Sequence, residues 1–473
     1  MFKNTHDSSS FRIRFRWVFC QLETLQHCFP QNIPRTLREF PPSLEETYER
    51  VLKEIVTSNR NKAHHLLQCL TVASRSLRVE ELAEILALDF DGAKDGISEL
   101  KEDWRWEDQR ETVLSTCSSL IAVAYDGHHH VSQFSHFSVK EFLTSDRFAT
   151  SSTDVSLFHI TPGPAHTTLV KACLGILLQS DNGIGNAKAK HPSPLAEYAA
   201  VHWVGHAQFE QVSTHIQVGM RRLFDPENPY FGAWLDLYDI DTRNRWFGVG
   251  HWDLFLKTHR ASPLYYASLC GFRDLATHLI DKRPQDINMR VGRNISPLGA
   301  ALYNKHFQTA QLLHQHGADV DVRNDYDRTL LHAASINGSV DIAQWLLSYG
   351  GDASTRRDNL GTSFQVAAKK GRVHRIFVNA RDKSNRTSLH LASEGGHARV
   401  VWLLLQHGAD IAARDLTHHI PLHLASSKMH PETTRLLIEH GANVNAPNNN
   451  LKTPLHLLAL SLVSVCATWC STY

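Results

Sequence analysis

Histidine is the residue type through which this sequence could do chemistry, since 31 of its 473 residues are His. An imidazole can bind a metal ion, move a proton or bond to backbone groups. The densest group is His128, His129 and His130, close to Asp126. Neighbouring side chains of a strand point to opposite faces, so three adjacent histidines rarely converge on one ion. We therefore expect a solvated hairpin tip there and no metal site.

Seven other histidines recur at a regular interval in the C-terminal half. Four of them stand in segments of the type TPLHLA, namely His332, His390, His423 and His456. Three stand before Gly-Ala at the end of an apolar run, namely His316, His407 and His440. Histidines that lie about one repeat apart cannot share an ion. The pattern instead predicts packing roles, in which Thr and His bond to backbone groups and the Gly ends a helix in the left-handed conformation.

A period of about 33 residues with a T-P-L-H-x-A segment resembles the ankyrin repeat. The resemblance covers residues 259–473 and about seven units, which begin at Ser262, Ser296, Thr329, Thr362, Thr387, Ile420 and Thr453. Only 25 residues separate Thr362 from Thr387. We therefore expect a shortened unit near 371–381 whose second helix is missing, and a last unit that is incomplete.

The N-terminal half has different signals. Ser43, with Glu46 three residues later, predicts a capped helix start. Residues 65–90 predict two helices, and residues 113–121 predict another. Residues 122–143 predict a strand, a turn at Asp126–Gly127, a second strand and a helix. Three helices followed by a β-hairpin form a winged-helix domain, so we predict a mainly α fold with a winged helix, a helical linker and an ankyrin solenoid.

Two segments resemble fungal NOD-like receptors. Residues 37–52 resemble the segment that closes their NACHT nucleotide-binding module, and FSHFSVKEFL, residues 134–143, resembles a signature of their winged helix. The resemblance implies a NACHT remnant in 1–42, a winged helix in 43–150, a helical linker region in 151–258 and ankyrin repeats in 259–473. It also implies innate-immunity-like signal transduction, with His136 at the position that senses the nucleotide phosphate.

The sequence departs from that family in its nucleotide-binding part. A NACHT ATPase needs G-x-x-x-x-G-K-[ST], whose backbone and Lys hold the phosphates. No Gly-Lys dipeptide occurs in the chain, and neither a G-x-S-x-G nor an H-E-x-x-H segment is present. We therefore predict no enzyme activity, no catalytic residue and no cofactor.

Charge and hydropathy narrow the class of partner. Lys and Arg total 49 and Asp and Glu total 48, a net charge of +1 that excludes a strongly basic nucleic-acid-coating protein. The candidate recognition segment of the winged helix, Ser76–Leu86, carries one Arg and three Glu. No long uninterrupted apolar run is present, and the eight scattered Cys indicate free thiols. We expect a cytoplasmic protein that binds neither nucleic acid nor membrane, with its oligomeric state left open.

A protein partner on the concave ankyrin face is the function that we predict. Ankyrin solenoids present hairpin tips and first-helix faces to their partners. In the regular units these positions are Asp325, Tyr326, Arg328, Ile336, Asn337, Lys383, Ser384, Arg386, Glu394, Leu416, Thr417, His419, Ser427 and Lys428. Tyr326 and the arginines are the best anchor candidates, because aromatic residues and Arg dominate binding hot spots.

Two alternatives stay open from the sequence. One is a NACHT signal-transducing ATPase whose gene model is truncated, which predicts a P-loop encoded in frame before Met1. The other is a transcriptional regulator that uses the winged helix, which predicts salt-sensitive DNA binding.

Overall fold

The computed structural model describes residues 43–92, 96–149, 155–179, 193–238, 240–243, 261–290, 296–324, 326–349 and 378–471. The chain folds as two compact units, Met1–Asp239 and Ile240–Tyr473. Both are mainly helical, as the sequence predicts. The expected NACHT remnant in 1–42 lies outside the described residues.

Four helices and a small sheet form the first part of the N-terminal unit. The helices are α1 Leu44–Glu54, α2 Arg60–Val72, α3 Val79–Leu86 and α4 Gln109–Cys117. Ser43 Oγ accepts the N–H of Glu46 at 3.1 Å, so the predicted cap of α1 is confirmed. Val51 and Leu52 on α1 and Leu66 and Leu67 on α2 are buried in the core.

The strands of this part complete a winged-helix domain. They are β1 Leu77–Arg78, β2 Leu88–Asp89, β3 Glu99–Leu100, β4 Ile121–Tyr125 and β5 His130–Phe134. β4 and β5 form the predicted antiparallel hairpin. β1 pairs antiparallel with the free edge of β5, which gives the strand order β1-β5-β4. β2 and β3 pair separately.

The helical region that follows shares a core with the winged helix. Two short helices, α5 Phe137–Leu143 and α6 Asp146–Ala149, end the winged helix, and the helices of the region that follows are α7 Pro162–Leu177, α8 Ala196–Ala207, α9 Val212–His215, α10 Gln217–Leu223 and α11 Tyr230–Leu237. α7 packs against α2 on one side and α8 on the other. The buried rings of Trp203 and Trp234 meet edge to face at 5.5 Å, and Trp234 donates to the carbonyl of Ala200 at 3.0 Å. Trp203 and Trp234 therefore form an aromatic core in this region.

The C-terminal unit is a stack of helix pairs. Its helices are α12 Pro263–Leu269, α13 Arg273–Lys282, α14 Pro297–Tyr303, α15 Phe307–Gln315, α16 Leu330–Ile336, α17 Val340–Tyr349, α18 Ser388–Glu394, α19 Ala398–Gln406, α20 Pro421–Ser427, α21 Pro431–Glu439 and α22 Pro454–Ser471. First helices pack on first helices and second helices on second helices, for example α18 on α20 and α19 on α21. Within the described residues, no helix has the length and apolarity needed to cross a membrane.

The Thr329 and Thr387 units stack directly on each other, and most of the predicted shortened unit near 371–381 lies outside the described residues. α16 packs directly on α18 and α17 on α19, so the Thr329 unit stacks on the Thr387 unit. His332 Nε2 lies 3.2 Å from the carbonyl of Arg386. The equivalent bond in the next pair of units joins His390 Nε2 to the carbonyl of His419. The described stack therefore has six units, and Val378–Arg386 supply the hairpin between α17 and α18. Residues 350–377 lie outside the described residues.

Candidate partner-binding surface on the ankyrin repeats

An Asn or Asp side chain closes each of four hairpins, those before Thr329, Thr387, Ile420 and Thr453. Asp382 Oδ1 accepts the backbone N–H groups of Ser384 and Arg386, both at 2.9 Å. The equivalent residues with the same two bonds are Asn324, Asp415 and Asn448. Our sequence analysis missed this set, although its signal is visible as an Asn or Asp five residues before each TPLH-type segment.

Backbone bonds join the tips of these hairpins to one another. Lys383 donates to the carbonyl of Tyr326 at 3.0 Å, and Leu416 donates to that of Ser384 at 3.1 Å. Asn449 donates to the carbonyl of Thr417 at 3.2 Å. We call residues 326, 383–384, 416–417 and 449–451 the tip ladder. It is a fixed row of backbone that runs across four hairpins and presents their side chains together.

The motif histidines fix the hairpins to the helices. His390 Nδ1 accepts the N–H of Thr387 at 3.2 Å, and its Nε2 donates to the carbonyl of His419 in the next unit at 3.1 Å. His332 and His423 make the same pair of bonds. One acceptor and one donor require a neutral ring. Burial lowers the pKa of His332 and of His390 to about 4, so both rings are neutral at pH 7.

The histidines before Gly-Ala have the predicted capping role. His316, His407 and His440 each follow the end of a second helix, and Nδ1 of each donates to the carbonyl four residues earlier at 2.8–2.9 Å. The glycine after each has a positive φ, 94° at Gly317 and 82° at Gly408. The left-handed helix ends expected from the sequence are therefore confirmed.

A further set of histidines bonds adjacent units and was missed by the sequence analysis. His397 Nε2 donates to the carbonyl of Ile336 at 2.9 Å, and His430 Nε2 donates to that of Glu394 at 3.0 Å. Each histidine is the N-cap residue of a second helix, and so is His306. The rings of His397 and His430 lie against Gly338 and Gly396, where a Cβ atom would collide with them. The signal was a histidine directly before a second helix.

An ion-pair network holds the side chains of one hairpin in place. Buried Asp382 pairs with Arg328 Nε at 3.2 Å and with Arg386 Nη2 at 3.4 Å, and Arg386 also pairs with Glu394 at 3.3 Å. Burial alone would raise the pKa of Asp382, but the N–H and guanidinium of Arg386 together with Arg328 lower it. Arg328 also lies over the ring of Tyr326, 5.7 Å from its centroid. The predicted anchors Arg328 and Arg386 are thus bound within the array itself.

The predicted partner-binding residues fall into two regions. Tyr326, Lys383, Ser384, Leu416 and Thr417 are exposed and lie together on the tip ladder. The others lie beside the ladder or at the far ends of first helices; Arg328, Ile336, Arg386, Glu394, His419 and Ser427 are half-buried, and Asn337 and Lys428 are exposed. Asp325 lies outside the described residues. The structure adds Leu451, which is 82% exposed at the last tip.

His136 lies at a junction in the winged helix. It is the N-cap residue of α5, and its Nδ1 accepts the N–H of Ser138 at 3.3 Å and lies 2.6 Å from Ser138 Oγ. Ser138 Oγ in turn lies 2.8 Å from the hydroxyl of Tyr48 on α1. His136 therefore joins the hairpin end to α5 and, through Ser138, to α1. Its role toward a nucleotide stays a prediction.

The triple histidine lies at the hairpin tip, as predicted. Asp126 Oδ1 accepts the N–H groups of His128 at 2.9 Å and of His129 at 2.8 Å. These two bonds lower the pKa of Asp126, and the bond from the N–H of His129 contributes more than the bond from the N–H of His128. Among the described residues, no three His, Cys, Asp or Glu side chains are grouped so as to hold a metal ion.

Known family profiles match both the N-terminal and the C-terminal part of the chain. The family profile "Ankyrin repeats (3 copies)" matches residues 264–358 and 350–415, and "Ankyrin repeat" matches residues 418–449. The profile "GPI inositol-deacylase, winged helix domain" matches residues 49–156. The chain thus contains ankyrin repeats, which support a protein–protein interaction role, and a winged-helix domain of that type.

A curated fungal protein matches a large part of the chain. It is the "Azaphilone pigments biosynthesis cluster protein L" of Monascus ruber, 28% identical over 296 residues. The match covers 60% of this chain and 61% of the relative.

Proposed function

We propose that this chain is the partner-binding arm of a cytoplasmic NACHT-type signalling receptor and does not itself hydrolyse nucleotides. The observation that carries the proposal is the tip ladder, which holds exposed Tyr326, Lys383 and Leu416 on one hydrogen-bonded row. Preorganised side chains bind at a lower entropic cost than mobile ones. The ladder is therefore the surface on which a protein partner is recognised.

The receptor context rests on the order of domains. The winged helix, the helical region and the ankyrin stack follow each other as they do in the fungal receptors that the sequence resembles. The compact core shared by α2, α7 and α8 supports a rigid unit that could pass on a signal. His136, at the start of α5, stands at the position that faces the nucleotide phosphate in that family, and in a complete receptor it would have this role.

A photo-crosslinker tests the proposed binding surface. Benzoylphenylalanine is placed at Thr417 on the tip ladder or, as a matched control, at exposed Arg399 on α19. In cells that express the full chain, Thr417 is expected to give a discrete protein adduct that Lys383→Glu with Leu416→Ser abolishes. Equal adducts from both positions, or none from Thr417, would overturn the proposal.

Nucleotide titration tests the second part of the proposal. The purified chain is expected to show no ATP hydrolysis and no tight complex with ADP or ATP, because its sequence contains no P-loop. Stoichiometric nucleotide retained through gel filtration would contradict this.

A further inference from the structure

The hairpins of the tip ladder carry an excess of positive charge, whereas the whole chain is close to neutral. In the sequence its four hairpins, 323–328, 381–386, 414–419 and 447–452, include seven Arg or Lys and four Asp. Buried Asp382 pairs with Arg328 and Arg386, and buried Asp415 is bound to its own hairpin, so Arg323, Arg381, Lys383, Arg414 and Lys452 supply most of the positive charge. The whole chain has a net charge of only +1. The positive charge at the tips is therefore a local feature that favours an acidic partner.

Three arginines form a regular row beside the tips. Arg323 Nη1 donates to the carbonyl of Arg381 at 3.1 Å, and Arg381 Nη1 donates to that of Arg414 at 2.8 Å. Arg414 Nη1 donates to the carbonyl of Pro447 at 2.9 Å. Each guanidinium is thereby held at an equivalent place in its unit and has further N–H groups for a carboxylate. We call Arg323, Arg381 and Arg414 the arginine row.

Apolar side chains accompany these cations. Leu416 is 64% exposed and Leu451 is 82% exposed on adjacent hairpins, and Tyr326, which is 47% exposed, lies two hairpins before Leu416. Leu451 has a φ of 56°, in the left-handed region where the equivalent residues are Asp327, Asn385 and His418. A leucine in that conformation is strained and gains nothing from the array itself. Exposed Leu416 and Leu451 can be covered by the apolar side chains of a polypeptide partner but not by the phosphate backbone of a nucleic acid.

The spacing of the row defines the shape of the segment that fits it. Packed helices of neighbouring units lie about 8–10 Å apart, so successive arginines repeat at about that distance. A polyproline II segment has three residues per turn and rises about 3.1 Å per residue, so every third side chain recurs on one face after about 9 Å. Acidic residues at every third position of such a segment would each meet one arginine.

We propose that the tip ladder binds an acidic segment of a partner protein in an extended, polyproline II-like conformation, with a carboxylate at every third residue and apolar residues between. The inference rests on the proposed function and specifies the partner of that same surface. Carboxylates bond to the arginine row, Lys383 adds an attraction, and the apolar residues cover Leu416 and Leu451.

Fluorescence anisotropy with the full chain tests the proposal. The probe is a labelled peptide of repeating Glu-Leu-Pro. Its controls are repeating Lys-Leu-Pro, repeating Glu-Ser-Pro, a block peptide of the same composition with all Glu adjacent, and oligothymidylate. The Glu-Leu-Pro peptide is expected to bind most tightly, at least about tenfold more tightly than any control, and to lose affinity with added salt.

Surface variants locate the binding. Lys383→Glu and Leu416→Ser are each expected to weaken Glu-Leu-Pro binding by about tenfold. Arg399→Glu on α19 and Ile438→Ser on α21, which exchange similar exposed side chains away from the tips, are expected to leave it unchanged. Thermal unfolding of each variant checks that the stack remains folded.

The outcomes separate this inference from the proposed function. Equal or tighter binding of any of the four controls would overturn the inference, and so would Glu-Leu-Pro binding that Lys383→Glu and Leu416→Ser leave unchanged. If the inference fails in this way while Thr417 still gives its protein adduct, the tip ladder binds a partner of other chemistry and the proposed function stands. Loss of that adduct would remove both.

Discussion

Replacing His390 by Asn tests whether the motif histidines join the ankyrin units as neutral groups. Burial lowers the pKa of His390 in the folded chain from 6.5 to about 4. As the pH falls below 6.5, the unfolded chain takes up the proton first, so the free energy of unfolding decreases until the pH reaches about 4. For these two pKa values, linkage gives a loss of about 2 kcal/mol at this site between about pH 7 and about pH 5.

The variant separates the bonds of the histidine from its titration. At neutral pH, His390→Asn is expected to lower the free energy of unfolding by about 1–3 kcal/mol, because it removes the bonds to Thr387 and His419. On acidification it should lose about 2 kcal/mol less than the parent chain, because the titrating ring is gone. His456→Asn is the matched control. His456 bonds to Thr453 in the same way but is exposed, so its replacement should cost less at neutral pH.

Pulsed hydrogen exchange gives a readout specific to these units. The full chain is equilibrated in urea at either pH, pulsed in D₂O under common conditions and digested, and peptides from residues 387–407 report the unfolding of α18 and α19. If His390→Asn and the parent chain lose the same free energy of unfolding on acidification, a neutral buried His390 is refuted as the origin of the pH dependence.

Three further substitutions have defined outcomes. Glu81→Ala is expected to destabilise the N-terminal unit by about 1–3 kcal/mol, because buried Glu81 binds partly exposed Arg75 at 2.6 Å and accepts the N–H of Arg78 at 2.8 Å, and both bonds are lost; urea unfolding measures it. Gly175→Ala is expected to cost about 1–3 kcal/mol, because the new Cβ would collide with the backbone of Ser98, as thermal unfolding would report. Leu451→Asn should stabilise the C-terminal unit by about 1 kcal/mol, because Asn tolerates the left-handed conformation, and urea unfolding followed by hydrogen exchange at 449–457 checks this.

Two of these substitutions have a control in the chain. Half-buried Glu80, beside Glu81 on α3, should cost less than about 1 kcal/mol when changed to Ala. Gly205 on α8 has open space around its Cβ position, so Gly205→Ala should stabilise its helix by about 1 kcal/mol, with the opposite sign to Gly175→Ala. The strain argument for Leu451 fails if Leu451→Asn destabilises the unit.

Local signals predicted much of the fold. The cap at Ser43, the hairpin that turns at Asp126 and the glycine-ended helices at Gly317 and Gly408 all follow from a few neighbouring residues. Such signals are readable because the backbone conformation at a cap or turn depends on the side chains within one turn of it.

The candidate surface was only partly predictable. The sequence placed Tyr326, Lys383 and Leu416 at hairpin tips, and the structure agrees. It also marked Arg328 and Arg386 as anchors, although both pair with Asp382. Whether a cation is exposed or paired depends on residues brought together from different units, and sequence position alone does not reveal that.

Which ankyrin units stack on each other could not be predicted fully from the sequence. The sequence by itself determined that TPLH-type units recur from Ser262 to Thr453 and that most of the regularly spaced histidines pack between them. The 25-residue spacing between Thr362 and Thr387 predicted a shortened unit there, and it gave no indication that the Thr329 and Thr387 units would be in direct contact. Only the packing of α16 on α18 shows this contact, with His332 bonded to the carbonyl of Arg386. The reason is that a repeat is held by the apolar faces and hydrogen bonds of its spatial neighbours, and these neighbours need not be adjacent in the chain.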